Sequence, residues 1–380
     1  MLVAVAGGNL QGLEVAYLAR KAGWDVLVVD RHANVPASGM CHWFVQHDLR
    51  EEKTLGALFD KADLLIPALE NDAALAALSH CARSQGIPFA FDPAAYEVSS
   101  SKKTSDNLFA RSGIPVPQAW PRGSLPVIVK PSHASGSADI TIFKERTLVD
   151  DFLRQAKGDW VAQAYLEGPT YSLEVMGRHG DYCLPQITDL YMDAQYDCKA
   201  VTAPSLMPAE LMSTFEKISL EIAGLIDLNG LMDVEVVESD GELFVLEIDA
   251  RFPSQTPTAV YHSSGFNMVK ALGELFLNGT VPSAPKQGNA KGVIYEHIYV
   301  SGGTLGFAGE HIISNVGPLR LMPGFCGADE AITNYAEGRA EWVATLIVTG
   351  KDLHEATLKR NRVLEAIKHE FGLEGRISVL

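Results

Sequence analysis

Glu235, Glu247 and Asp249 are the residues in this chain best placed to do chemistry. They lie in Asp233-Val-Glu-Val-Val237 and Val245-Leu-Glu-Ile-Asp-Ala-Arg-Phe-Pro253, with Ser239-Asp240-Gly241 between them as a turn. Acids alternating with apolar residues read as the two strands of a hairpin. A period of two puts Glu247 and Asp249 on one face. Pairing of the strands brings Glu235 beside them. Three carboxylates on a half-buried sheet repel one another unless a cation lies between them. Mg²⁺ is the expected ion, because it prefers hard oxygen ligands and commonly holds nucleotide phosphates as well. Arg251 shares the face and can steady a phosphate or an anionic intermediate. The plain alternative is an acidic solvent face on an edge hairpin. It fits poorly, because Ile248, Ala250 and Phe252 leave no other polar outlet.

Elements that must position these groups follow from periodicity. Strand signals at Leu2–Ala6, Asp25–Asp30 and Asp63–Leu69 alternate with helices over Gly12–Ala22 and Asp72–Gln85, and Pro88–Asp92 closes the series. Such alternation predicts a doubly wound parallel sheet over residues 1–97. Its first turn, Gly7-Gly-Asn-Leu-Gln-Gly12, with Asp30 at the end of the second strand, is similar to a dinucleotide fingerprint with its ribose-binding acid. Asn9 replaces the middle glycine and obstructs close approach of a pyrophosphate.

Residues 98–166 read as a helix followed by a small lobe. Ser99-Ser-Ser101 is an N-cap signal before a helix carrying Lys102 and Lys103, which Gly113 ends. Lys130 ends a short buried strand, Val127–Pro131. The small residues of Ser132–Ala138, among them Ser135, Gly136 and Ser137, can fold backbone N–H groups over phosphates before a strand at Ile140–Phe143. Another strand, Gly158–Leu166, runs through Gln163, Ala164, Tyr165 and Leu166. The large remainder, 167–380, holds a strand with Glu174 at Tyr171–Met176, helices at Met212–Gly224 and Phe266–Leu277, and the acidic hairpin. Strands at Val293–Val300 and Trp342–Val348 follow, and then a helix from His354 to about Phe371.

Composition limits the possibilities. The formal charge is 31 − 47 = −16, which argues against a nucleic-acid surface built on clustered Lys and Arg. It leaves room for anionic small molecules, which need only a few local cations. Five scattered cysteines show no metal-binding spacing and fit a reducing cytoplasm. Met1 leads straight into a strand, so no signal peptide is expected, and no apolar run reaches membrane-spanning length.

In order, the chain offers a Rossmann-like domain, Lys at a helix start, strand–Lys–Pro–small loop, a strand into a Glu-Gly turn, and an acidic hairpin ending in Arg. That succession resembles the ATP-grasp superfamily over nearly the whole length. The resemblance implies two lobes that hold ATP and Mg²⁺ and join a carboxylate to an amine through an acyl-phosphate, with a homodimer as the common assembly. Gly8–Gly12, Tyr196-Asp-Cys198, Met232–Glu235, Glu247–Pro257, Tyr261–Asn267 and Ile294–His297 narrow it to the ligases of pyrrolysine biosynthesis. Those couple 3-methyl-D-ornithine to the ε-amine of L-lysine. On that resemblance Lys102 and Lys130 contact phosphate, residues 132–138 form the phosphate lid, and Gln163–Leu166 meet adenine. Glu235, Glu247 and Asp249 hold the metal. Leu10, Gln11, Glu70 and Ser254 face lysine, while Ser172, Glu174, Asp233 and Arg251 face the ornithine. Two departures stand out. Gln163 replaces a common carboxylate, and Thr170 lies where a ribose-binding acid is expected.

Several of these residues have a physical reading of their own. Glu70 lies just beyond a strand end, where ligands of doubly wound sheets bind. It can equally be an acid serving the dipole of the helix at Asp72–Gln85. Glu174 interrupts an apolar strand, so an ammonium partner or a structural ion pair must offset its charge. Lys199 is a candidate phosphate cation or an exposed loop lysine. His133, His179, His262 and His297 receive no catalytic role. A ligase for another amino-acid pair, a nicotinamide-dependent dehydrogenase and a non-catalytic nucleotide-binding module are the remaining alternatives.

Overall fold

The computed structural model describes residues 1–133, 139–285, 288 and 290–374. Its N-terminal part contains β1 (Leu2–Ala6), α1 (Leu10–Lys21), β2 (Asp25–Asp30), β3 (Trp43–Gln46), α2 (Glu52–Phe59), β4 (Leu64–Pro67) and α3 (Asp72–Gln85). The four strands form a parallel sheet in the order β3-β2-β1-β4. The expected strand at residues 88–92 is reduced to one bridge, Leu65 with Phe89. β3 and α2 went unread in the sequence. β3 is a four-residue edge strand with no buried residue, and its pattern lacks the apolar run of β1, β2 and β4.

Two short helices, α4 (Pro93–Ser99) and α5 (Lys102–Ser112), lead into a three-stranded sheet. That sheet is built from β5 (Val127–Pro131), β6 (Thr141–Phe143) and β7 (Trp160–Ala164), ordered β6-β5-β7, with α6 (Arg146–Gln155) packed on it. The cap expected at Ser99–Ser101 is Ser101, whose Oγ accepts from Thr104 N.

The rest is organised around one large, mostly antiparallel sheet. Its elements are β8 (Thr170–Arg178), β9 (Asp181–Cys183), β10 (Thr188–Met192), β11 (Cys198–Ala203), α7 (Ala209–Leu225), β12 (Asn229–Ser239) and β13 (Glu242–Asp249). Next come α8 (Thr256–Ser264), α9 (Met268–Asn278), β14 (Gly292–Ser301), β15 (Thr304–Phe307), α10 (His311–Ser314), β16 (Arg320–Pro323), β17 (Glu330–Thr333), β18 (Trp342–Gly350) and α11 (Leu353–Phe371). The main path is β13-β12-β8-β10-β11-β14-β18-β17-β16. One face of the β8–β12–β13 end buries Leu173, Val175, Val234, Val236 and Ile248 beneath Phe215 and Ile222 of α7. A second core runs without a break from Val3, Val5 and Leu13 to Val201, Val260 and Ile347, which joins the N-terminal sheet to the large one. Both chain halves therefore present their side chains to a shared region. No helix among the described residues is long and apolar enough to cross a membrane.

Candidate active site

β12 and β13 pair antiparallel with Glu235 opposite Glu247 and Asp233 opposite Asp249. On its other side β12 pairs with β8, which sets Glu174 beside Asp233 and Ser172 beside Glu235. Directly paired residues share a face, so the pairing assembles five acids and a serine on one patch. A bulge interrupts β13, where Glu235 pairs with Glu247 but Val236 with Val245, leaving Leu246 extra. It explains a parity problem in the sequence. Leu243 and Val245 belong to the buried core at odd positions, whereas Ile248 and Ala250 belong to it at even ones. The extra residue reverses the alternation, and so Glu247 and Asp249 point away from the core that Leu243 and Val245 enter.

Two lysines approach this patch from the small lobe. Backbone bonds from Lys102 N to Ser132 O and from Lys103 N to Ser132 Oγ tie the start of α5 to the end of β5. Lys102 and Lys130 are thereby brought together. Lys102 Nζ lies 2.8 Å from Glu247 Oε2. The buried Lys130 places Nζ 3.3 Å from the carbonyl of the bulge residue Leu246. Both lysines line a cleft of about 680 Å³ together with Gln163, Ala164, Tyr165, Leu166, Glu235 and Glu247. Lys199 and Thr170 line it too, and the Thr170 hydroxyl donates to Leu190 O. Ser135, Gly136 and Ser137 of the expected phosphate lid lie outside the described residues. Asp106 on α5 was missed by sequence reading. Burial raises its carboxyl to about 6, against the pull of Lys130 and Lys102. A lone acid on a polar helix gives no signal.

The electrostatics separate the acids. Burial alone would raise Glu247, but Lys102 and Lys130 outweigh it and hold its carboxyl below the ordinary range. Glu235 is pushed up to about 8 by burial and by the Glu247 and Asp249 charges. Burial also lifts Asp249 to about 7, with Arg251 opposing. Asp233 is raised well above its usual value by burial and by Asp249. Carboxylates that resist ionising together form a donor set suited to a hard divalent cation. Glu235 and Asp249, raised beside the ionised Glu247, are with it the acids that could hold such an ion.

On the far side of the acids the contacts reach the N-terminal sheet. Arg251 donates through Nη2 to Asp249 Oδ2 and through Nε to Glu70 Oε1, both at 2.7 Å. Gln11 Nε2 donates to the same Glu70 oxygen at 2.8 Å. A single chain of contacts thus links the first turn to the hairpin. Glu70 is not a helix cap, for Asn71 caps α3 through Ala74 N. Leu10 stands half-buried at the start of α1 beside Gln11. Asp30 belongs elsewhere. Its carboxylate accepts from Gly8 N and His32 N, bracing the first turn, and it lines a different cavity from the lysines.

A smaller cavity of about 100 Å³ adjoins the cleft, lined by Ser172, Asp233, Glu235, Glu247, Asp249, Arg251, Ser254, Gln255, Thr256 and Glu310 among others. Ser172 Oγ, Glu174 Oε1 and Oε2, Asp233 Oδ1, Gln255 Oε1 and Thr256 Oγ1 are buried there or behind it with no hydrogen-bond partner among the described residues. Burial lifts the Glu174 carboxyl to about 7. Unanswered acceptors around a small space suit a ligand rich in N–H donors. Glu310 was unread in the sequence. It accepts from Ser254 Oγ at 2.7 Å and Gln255 Nε2 at 2.9 Å, and comes from a loop far along the chain with no motif of its own. Another contact from a distance steadies this wall. Glu14 of α1 is buried, and its Oε1 accepts from Thr258 N at 2.7 Å, serving the first turn of α8, where Gln255 gives no side-chain cap.

A nucleotide-sized cleft with two lysines, a carboxylate cluster on a hairpin and a small lobe above it define the ATP-grasp class, and the family model described as "ATP-grasp domain" matches residues 99–255. The chain has the fold of the ADP complex of N5-carboxyaminoimidazole ribonucleotide synthetase, with a TM-score of 0.73, 15% identity and 97% of each chain covered. It also shares the fold of a biotin carboxylase domain of 2-oxoglutarate carboxylase from Hydrogenobacter thermophilus, crystallised with MgADP, at TM-score 0.70 and 16% identity over 96% of this chain and 89% of that one. Among curated proteins, the 3-methyl-D-ornithine–L-lysine ligase of Methanosarcina mazei is 34% identical over 375 residues, covering 97% of this chain and 96% of the relative. At that identity and coverage the chain belongs to the 3-methyl-D-ornithine–L-lysine ligase family.

Proposed function

We propose that the protein uses ATP to join the carboxylate of 3-methyl-D-ornithine to the ε-amine of L-lysine, releasing ADP and phosphate, as a step of pyrrolysine biosynthesis. The observation that carries this reading is one acidic patch with a cationic cleft on one side and the Arg251–Glu70–Gln11 chain on the other. A nucleotide cleft and an amine-accepting cavity therefore share a wall, as an acyl-phosphate route requires.

Lys102 and Lys130 hold the ATP phosphates while Gln163–Leu166 receive the adenine. Glu235, Glu247 and Asp249 hold Mg²⁺, which when bound neutralises charge on the transferring phosphoryl group. The crystallisation of a fold neighbour with MgADP supports this pairing. The ornithine carboxylate attacks the γ-phosphorus, the β,γ P–O bond breaks, and ADP leaves. Ser172, Glu174 and Asp233 receive the ammonium groups of that substrate. Leu10, Gln11, Glu70 and Ser254 orient the lysine. Its ε-ammonium, with a pKa of about 10.4, has to give up a proton for the amine to attack, to a nearby carboxylate or to the acyl-phosphate oxygens that leave as phosphate. The amine nitrogen then bonds to the acyl carbon, and the bond from that carbon to the bridging phosphate oxygen breaks, releasing phosphate. Arg251 and Lys130 offset the charge on the tetrahedral oxyanion. Residues 98–166 act as the lobe that closes and keeps water from the acyl-phosphate.

Mass spectrometry after incubation with ATP, Mg²⁺, lysine and D-ornithine tests the reading. One amide product, heavier than either amino acid and lighter than their sum by one water, is the expected result. ADP release with some other amino-acid pair and none with this one would replace the substrate assignment while keeping the ligase.

A further inference from the structure

Loop 193–197, between β10 and β11, belongs to both cavities. Its Tyr196 lines the nucleotide cleft and the amine cavity alike. The Tyr196 ring also meets Tyr165 of the adenine-facing segment edge-on, with centroids 5.9 Å apart. Tyr196 holds a φ of +65°, which a bulky residue adopts only when its surroundings impose it. Those surroundings are two aspartates and a distant tripeptide. Asp193 Oδ1 accepts from Gln195 N and Asp197 N, which shapes the loop from within. Gly309 N donates to Asp193 Oδ2 at 2.8 Å. His311 donates its backbone N–H to Asp197 Oδ2 at 2.9 Å, and its Nδ1 meets the same oxygen. Between these two donors stands Glu310, bonded to Ser254 and Gln255 in the amine cavity.

Gly309 fits because it has no side chain. A Cβ there would lie 2.2 Å from Asp197 Cγ and 2.4 Å from its Cβ, so the buried aspartate could not stay in place. The cluster Asp193–Asp197–His311 has the donor types of a metal site. Here both Asp193 oxygens and Asp197 Oδ2 already accept N–H bonds, so the cluster works as a clasp.

We propose that Gly309 and His311, clasped on Asp193 and Asp197, are positioning residues that hold Glu310 against the diamino-acid substrate and Tyr196 against the nucleotide as one unit. The clasp lies away from Gln11 and Glu70 and reaches the proposed lysine contacts through the Glu310–Ser254 bond, so lysine binding depends on it less than D-ornithine binding does. The proposal rests on the substrate reading above for what fills the amine cavity.

The test uses the full chain with Gly309→Ala, His311→Leu and His311→Asn. Calorimetric titration with MgADP and steady-state KM values for D-ornithine, lysine and ATP are read together. Gly309→Ala and His311→Leu should each raise the ADP Kd and the D-ornithine KM by about tenfold and the lysine KM by much less. His311→Asn, whose amide nitrogen can stand where Nδ1 stands, should recover most of both. Three results overturn the proposal: no change in ADP Kd, a change in only one of the two affinities, or a uniform loss in all three substrates with a lowered thermal midpoint. If the wild type makes no amide from D-ornithine and lysine, the substrate reading has failed, and the ADP titration alone still decides the clasp.

Discussion

The cleft and the small cavity share the hairpin but are walled in opposite ways. The cleft is about 680 Å³ and meets the patch with two ammonium groups, Lys102 and Lys130, which suits a polyanion. The cavity is about 100 Å³ and meets it with carboxylates and unanswered acceptors, which suits a compact polycation. Glu247 belongs to both. It is held ionised by Lys102 on the cleft side, while Asp233 and Asp249 on the cavity side are pushed toward the neutral acid. Glu247 and Asp249, carboxylates two strand positions apart, behave differently because their counter-charges differ. The difference teaches that the hairpin separates a cationic space from an acidic one, and in the proposed reaction it would keep phosphoryl donor and amine on separate sides until the carboxylate reaches across.

The largest expected effect comes from removing one of the proposed metal ligands. Asp249→Ala should lower Mg²⁺-dependent ADP release by about a thousandfold with the far-ultraviolet circular dichroism unchanged. Turnover near that of the wild type would remove Asp249 from the metal set. Next is the cation on the cleft side. Lys130→Met should cost about a hundredfold in kcat and leave the amino-acid KM values nearly alone. A KM-only effect would assign Lys130 to ground-state binding. Glu70 lines the N-terminal cavity that also holds Asp30 and reaches the patch through Arg251; Glu70→Gln should raise the lysine KM by about tenfold, more than that of D-ornithine. Equal effects on the two would take Glu70 out of the lysine pocket.

The smallest effect concerns stability. Burial raises the Glu14 carboxyl from 4.5 to about 7. Its folded pKa thus lies above its unfolded one, so its contribution is full below the unfolded value and is lost as pH rises through about 7. The thermal midpoint of the substrate-free protein should fall less over about pH 5 to 8 in Glu14→Gln than in the wild type. Parallel curves would show that Glu14 carries no such penalty.

How much of this was legible before the coordinates depended on whether the signal was local. The strands of the hairpin and the helices at Asp72–Gln85 and Lys102–Ser112 announced themselves through alternation, caps and terminal glycines. Sequence reading and structure also agree in bringing Lys102, Lys130, Glu235, Glu247, Asp249 and Arg251 together. Glu310 and Glu14 were invisible, because each works through a partner far along the chain and sits in an ordinary stretch of sequence. Asp30 was legible as a strand-end acid but not as a brace, since its hydrogen bonds are to backbone N–H groups of a turn. The short strands β15–β17 offered too few residues for a period to show.

Leu246 closes the account from the side of heredity. Its carbonyl, not its side chain, meets Lys130, and its presence alone sets which residues of β13 face the acids. Many apolar codons at this position would preserve both properties and the apolar lining Leu246 gives the cleft, so conservative point substitutions there should be tolerated among relatives. Losing the codon would turn Leu243 and Val245 outward or Glu247 and Asp249 inward. Position 246 is therefore free to drift in letter and fixed in number.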